Sequence, residues 1–545
     1  MKMIREEIEE LKKNKSIIVA GLTLLLFMQV IITIIFNLTQ LSSHMGYDSS
    51  WSFLKAMLIW REKSLVSDIW ADTTATLLDG PIVPSSVLYG ITGDIYLSYG
   101  ICNSVFVILL IMVMFDVAKN FGLDQKGRLV CLNILLCPFL LNGTSPKNLG
   151  YFTVLLCGDC LYSIRTITFL ISLDALFLMI YLDKCNSDDA ITKKKNKMHI
   201  LVVIALFLSF ISGMSAGIYL LLVCFIPLMF YSFLTALVRN DIKLLRNRKM
   251  LFPVLGGISV ILGKLFQSFF IPLSTAGNEK TWTTIADFWK NTGAVFQGFM
   301  KLFNVLPLSR EVSVFSVEGL LKIPALITAF LIIIALIWSI NIGRHNIKNK
   351  EYDSILLIPI AVIFCNIVIF SLFNVQYGSP VFEERYLICA FVSLMLLAGY
   401  CISNIDKNLL FTKLLSWGLL LALGFTDIAS DGIFLLLTNK EWHMDDVARK
   451  ADELDAGIVF FCGDSLLETG RAMRVYDYDR IYKCVDNAGE ITHWGDYLFY
   501  DDISFYDGKI MYVVSRDNPE LASGILDGAI YSGTCMQYDI YVTGE

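Results

Sequence analysis

Charge is scarce in this chain: Asp, Glu, Lys and Arg make up 17% of 545 residues, hydrophobic residues make up 55%, and the mean hydropathy is +0.62. That shortage excludes an ordinary soluble protein, whose water-facing surface needs far more charge. A cationic excess is lacking too. The 44 Lys and Arg are outnumbered by 50 Asp and Glu, for a net charge of -6, and the acidic residues concentrate towards the C-terminus, so no nucleic-acid partner is expected. The first apolar stretch, Ser16 to Phe36, has no small-residue cleavage site after it. It is read as an uncleaved span rather than a signal peptide. No G-x-G-x-x-G or Walker pattern follows Gly463 and Asp464, which leaves an ordinary turn there. The 13 cysteines are read as scattered, packed thiols without a zinc or thioredoxin-like pair. Among them Cys462, Cys484 and Cys535 would permit one disulfide if the tail is exported.

What is abundant is apolar sequence in long runs. Backbone polar groups in lipid are satisfied only by helices or closed barrels, so recurrent stretches approaching about 20 residues read as membrane-spanning helices. They fall at Ser16 to Phe36, Ile95 to Phe115, Leu129 to Leu141, Leu161 to Leu182, Ile200 to Met214, Ala216 to Val238, Leu251 to Leu273, Ile323 to Ile342, Ile355 to Phe373, Tyr386 to Ile402 and Leu414 to Ile428. The expected fold is therefore an α-helical polytopic membrane protein of about 11 spans, residues 1–430, followed by a small soluble α/β domain over residues 441–545.

Cations set the orientation. Lys2, Arg5, Lys12, Lys13 and Lys15 precede the first span, and alternate loops repeat the enrichment with Lys119, Lys126 and Arg128, then Lys193, Lys194, Lys195 and Lys197. Arg239, Lys243, Arg246, Arg248 and Lys249 continue it, as do Arg344, Lys348 and Lys350. By the positive-inside rule the N-terminus is cytoplasmic. The loops 37–94 and 274–322 and the C-terminal tail then share the outer side. In the tail, MDDVARKADEL reads as an amphipathic helix, IVFFC as a buried strand, SLLETGRAM as a helix, KIMYVVS and YDIYVT as strands, and DNPELASGIL as the start of a capped helix.

The first outer loop holds the most chemistry. Trp51, Phe53, Leu54, Ile59 and Trp60 recur at helical spacing and predict an amphipathic helix along the membrane surface. Asp48 stands just before it, and Asp68, Asp72, Asp79 and Asp94 follow in the same loop. Such carboxylates can take a proton from an acceptor or offer oxygen ligands to a divalent cation. Their plainer reading is as solvated or helix-capping groups. Asp174 and Lys264, inside spans, either carry function or pair across helices. His493 and Trp494 are read as packing residues that could also face carbohydrate.

An acidic residue after the first span, an interfacial helix, a Trp- and Thr-rich stretch, a Pro-containing segment and a second span together resemble the membrane-embedded GT-C glycosyltransferases. That group includes protein O-mannosyltransferases and lipid A aminoarabinose transferases. VFEERYLICAF, in which Arg385 and Tyr386 open a late span from outside, resembles an Arg-Tyr pair of bacterial members, and the tail from Ile458 resembles their small exported domain. The resemblance implies transfer of a sugar, with inversion, from a polyprenyl-phosphate carrier to an envelope glycan, lipid or protein acceptor on the outer face. It implies Asp48 as catalytic base and Arg385 with Tyr386 at the lipid phosphate, assisted by Lys147 or Arg165. Many members carry two adjacent acidic residues where Asp48 is followed by Ser49 and Ser50. Asp159 in CGDC is the candidate second acid, and a divalent cation is an open possibility. Two other classes fit the same composition: a flippase or transporter of lipid-linked sugars, for which Asp174 and Lys264 would matter more, and a noncatalytic envelope assembly protein.

Overall fold

The computed structural model describes residues 2–42, 45, 47–67, 70, 72, 75–137, 155–184, 188–241, 246–271, 273, 281–303, 305, 313–349, 355–374, 384–404, 410–437, 444–491, 506–516 and 524–543. Long apolar runs become helices because each backbone N–H finds its acceptor within the segment. They are α1 (Lys2–Thr39), α4 (Ile95–Asn120), α6 (Ser163–Lys184), α7 (Asp188–Ala216), α8 (Ile226–Arg239), α9 (Arg248–Phe270), α11 (Val317–Lys348), α12 (Leu357–Leu372), α13 (Ile388–Ser403) and α14 (Leu410–Leu437). Between them lie α2 (Tyr47–Glu62), α3 (Ile82–Thr92), α5 (Gln125–Leu136) and α10 (Ile285–Leu302). Among the described residues, 8 helical segments are long and apolar enough to cross a bilayer. The other three expected spans coincide with the short or partly described helices α5, α12 and α14.

Two helices form the hub. The apolar window of α6 is 94% buried and that of α13 83%, whereas α1 buries only 22% of its own, so α6 and α13 are surrounded by protein and α1 faces lipid. Glycines set the closest crossings. A Cβ on Gly213 of α7 would collide with the Val260 carbonyl oxygen, and one on Gly263 of α9 with that of Phe210. The two backbones thus touch, as small residues permit between helices in lipid. Asn37, near the end of α1, donates to the Leu156 carbonyl at 2.9 Å, holding the 155–162 turn beside α4.

The helix expected along the membrane surface forms as α2 and is enclosed by protein. Every residue from Ser49 to Ile59 is buried, because α2 packs against α3, α4 and a helix of the C-terminal tail. Phe53 stacks on Tyr99 at 3.7 Å, Trp51 meets Trp70 at 5.2 Å, and the Trp60 ring fills the space a side chain at Gly90 would need. Its apolar residues face protein on several sides rather than lipid on one.

In the tail, α15 (Met444–Glu453) and α16 (Leu467–Tyr476) accompany strands β3 (Ala456–Cys462), β4 (Ile481–Val485), β5 (Lys509–Ser515), β6 (Ile530–Cys535) and β7 (Tyr538–Thr543). An earlier two-residue ladder joins β1 (Thr281–Trp282) to β2 (Phe373–Asn374). The tail sheet runs β4-β3-β5-β7-β6, with β3 parallel to β4 and β5 and with β7 antiparallel to β5 and β6. Strands β4 and β6 are additions to the expected elements. The expected helix in DNPELASGIL falls largely on residues 517–523, outside the described residues, and turns occupy 524–528.

Candidate functional site

Two buried ion pairs organise the segment 37–94. Asp79, in the turn before α3, is fully buried and receives Arg165 in a fork: Nε at 2.7 Å and Nη2 at 3.0 Å. Ser212 donates to the same carboxylate at 3.1 Å and Ser215 donates to its other oxygen, both from the last turns of α7. Planar, two-point pairing of this kind orients a guanidinium as well as neutralising it. Arg165 also lies over the Tyr162 ring at 4.6 Å and near that of Tyr219 at 5.9 Å. Asp79 engages one edge of the guanidinium, and the Nη1 end is the part it does not engage.

The tyrosines carry this arrangement across the hub. Tyr162 and Tyr219 meet edge to face at 5.5 Å, and the Tyr219 hydroxyl donates to the Tyr386 carbonyl at 3.1 Å. Tyr386 in turn stacks on Phe370. Arg165 opens α6, Tyr219 follows α7, and Arg385 with Tyr386 lies in the 3-10 turn Glu384–Leu387 that leads into α13. Three of the expected carrier-binding residues, Arg165, Arg385 and Tyr386, are thus brought to one end of the helical bundle.

The second pair belongs to α2. Lys55 is 2% exposed and donates to both Asp72 oxygens, at 2.6 and 2.7 Å, and to the Thr76 carbonyl at 2.6 Å. The Trp70 indole adds a third hydrogen bond to Asp72 at 3.0 Å. Burial pulls the Lys55 ammonium below its ordinary range and pushes the Asp72 carboxyl above its own, each opposed by the attraction of its partner. Thr76 links the pairs: its N–H donates to the Ser215 carbonyl at 3.0 Å and its hydroxyl to that of Met214 at 3.2 Å. A cleft lined by Lys55, Leu58, Trp70, Asp72 and Ile271 opens beside them.

Asp72 and Asp79, expected as solvated or capping carboxylates, are therefore buried ion-pair partners. A lone Lys in the apolar run FLKAMLIW was the available signal for the first, since such a cation needs a partner when buried. Asp94 does cap α4, accepting from the N–H groups of Tyr96 at 2.8 Å and Leu97 at 3.1 Å. Asp48 lies in the first turn of α2, with its side chain outside the described residues, as are all of Lys147, Asp68, His493 and Trp494. Asp159 is buried in the turn clamped by Asn37 and by Asn103, which donates to the Gly158 carbonyl at 2.8 Å. Tyr99, one turn before Asn103 on α4, donates from its hydroxyl to the Ser52 carbonyl, one turn from Asp48, so the Asp159 turn lies near the start of α2.

The cysteine reading needs one correction. Cys157 and Cys160, flanking Gly158 and Asp159, stand in C-x-x-C spacing, and both thiols are buried. Among the described residues no three His, Cys, Asp or Glu converge as a metal site would. Asp174 accepts from Asn120 and pairs with Lys197 at 3.4 Å, while Lys264 donates to Gln267, so both membrane charges are engaged within the bundle.

No family model and no curated protein matches the sequence. In three dimensions the chain is similar to ArnT from Cupriavidus metallidurans, solved in the apo state and bound to undecaprenyl phosphate. Both comparisons give a TM-score of 0.52 at 12% identity; the apo alignment covers 97% of this chain and 98% of ArnT, the bound one 95% and 97%. The polytopic, GT-C-like fold with a C-terminal sheet is the architecture that the likeness supports.

Proposed function

We propose that this multi-pass membrane protein is a glycosyltransferase that moves a sugar from a polyprenyl-phosphate carrier to an envelope glycan, lipid or protein acceptor on the outer face. The observation that carries the reading is the end-to-end fold likeness to ArnT, itself solved with undecaprenyl phosphate bound. It is supported by the oriented Arg165, the neighbouring Arg385 and Tyr386, and an acidic residue at the start of α2. A fold alone does not carry an activity, so the residues must.

In this reading residues 1–430 form the catalytic bundle, residues 441–545 an extracytoplasmic domain, and the N-terminus is cytoplasmic. The acceptor hydroxyl must lose a proton as it attacks the sugar carbon from the face opposite the carrier phosphate. Asp48 takes that proton, and the sugar carbon inverts. The departing phosphate gains charge, which Arg165 and Arg385 stabilise, with Lys147 assisting. Asp159 orients the acceptor, and were a divalent cation used, Asp48 and Asp159 would be the residues to hold it and it would neutralise developing phosphate charge. Asp174 pairs with Lys197 and Lys264 with Gln267, which supports structural roles for these charges over a part in transport.

The test uses purified protein in lipid with a panel of polyprenyl-phosphate sugars and envelope acceptors, followed by mass spectrometry. Transfer that disappears in Asp48→Asn while carrier binding persists is the expected result. Full transfer by that variant would remove Asp48 as base, and carrier binding without turnover across the panel would favour transport or assembly. Chelation with and without added Mg²⁺ or Mn²⁺ then reports the cation requirement.

A further inference from the structure

We infer that α10 is a lipid-surface anchor, seated among the headgroups of the leaflet on its side of the bundle. The helix presents three faces instead of the usual two. Asn291, Val295, Gly298, Phe299 and Leu302 are buried and hold it to α12 and the turn before α13. A second face is equally apolar yet exposed: Ile285 at 91%, Trp289 at 74% and Phe296 at 54%. At about 100° per residue, these three fall within roughly 40° of arc. Lys290, Gln297 and Lys301 form the remaining, polar face.

An exposed apolar stripe of this kind marks an interaction surface. Its continuity with the lipid-facing side of the bundle identifies the occupant. On α12, Phe364, Val368 and Leu372 are exposed at intervals of four residues and form one stripe along the helix. At its end, Trp282 is 71% exposed and lies 4.4 Å from Phe373, where β1 pairs with β2. Thr283 donates to the Leu372 carbonyl at 2.9 Å and Asn291 donates to the Thr283 hydroxyl at 2.9 Å, fixing α10 at the end of α12. The stripe therefore passes from α12 through Trp282 to Ile285, Trp289 and Phe296. Two indoles at the end of a lipid-facing stripe, with lysines turned away from it, match the chemistry of the headgroup boundary.

Single cysteines placed at Ile285, Trp289, Phe296, Lys290 and Gln297, each carrying a nitroxide, test the assignment on the full chain in lipid vesicles. Described native cysteines are buried, and the wild-type chain supplies the labelling background. Oxygen, which concentrates in lipid, and a water-soluble nickel chelate report each site's surroundings. The expected oxygen-to-nickel accessibility ratio is several-fold higher at 285, 289 and 296 than at 290 and 297. Equal nickel access at all five positions would overturn the proposal in favour of a water-facing helix. Shielding of the first three from both reagents would overturn it in favour of a protein partner or second copy. The unmodified chain provides an independent reading with a diazirine lipid that is photoreactive near its headgroup. Adducts mapped to 282–300 support the anchor, and their absence beside adducts on neighbouring spans counts against it.

Discussion

Lys55 shows how a single charge can commit a loop to one conformation. Its ammonium has no water to return to, so removing its partner leaves an uncompensated buried cation. Asp72→Asn is expected to cost about 3–5 kcal/mol, whereas Lys55→Met combined with Asp72→Leu recovers most of that loss. Thermal unfolding in one detergent, compared across the single and double variants, checks the sign of the coupling. Arg165→Lys keeps the charge and loses the fork. At roughly 1.5–3 kcal/mol for a hydrogen bond to a charged group, kcat/KM for transfer should fall about tenfold or more. A fall in Tm with unchanged kcat/KM would assign Arg165 a purely structural role. The Asp79–Arg165 pair could not be assigned from sequence, because the two are far apart in the chain and only folding brings them together, whereas Lys55 in its apolar run signals a need for a partner without naming Asp72.

Among elements, the α7–α9 contact makes the sharpest demand on composition. Gly263→Leu must push the Phe210 carbonyl away, and overpacking of this kind costs about 1–3 kcal/mol or more. Lower Tm and poor recovery of folded protein by size-exclusion chromatography are expected, while Gly424→Ala on α14, where an added Cβ meets nothing, should be neutral. The helices themselves were legible because apolar length fixes them. Their surroundings were less so: α2 has the composition of an interfacial helix but is enclosed, whereas the exposed stripe belongs to α10. Periodicity reports that a face is apolar and not which neighbour covers it. In the tail, β3, β5 and β7 are strongly apolar or β-branched and were expected. Lys483 interrupts β4, and Gly533, at φ 108° beside a register shift, interrupts β6; the alternation that reveals a strand is weakened in both.

At the scale of the whole molecule, bundle and tail are bound by α2, which packs on α3 and α4 on one side and on α16 on the other. Arg61, near the end of α2, also lies beside Tyr478 of the tail. Truncation after Leu437 is therefore expected to uncover α2, lower Tm and abolish transfer even with Asp48 intact; hydrogen exchange should locate the loosening at 47–62. A tail-less chain of unchanged Tm and exchange would show that the bundle holds α2 unaided. The likeness to ArnT extends over nearly the full chain at 12% identity, so the architecture was recoverable from apolar pattern and a few short motifs while the precise site was not.

The length of α12 carries a consequence for the surrounding membrane. Its 16 residues rise about 24 Å, against a hydrocarbon thickness of about 30 Å. Most of α12 is buried in protein, and where its exposed stripe of Phe364, Val368 and Leu372 meets lipid, a span this short draws the two leaflets together locally, at a cost that grows with acyl-chain length. The bilayer should therefore be thinned on that one side of the bundle. In vesicles of graded acyl-chain length, its activity and Tm should be highest in the thinner bilayers.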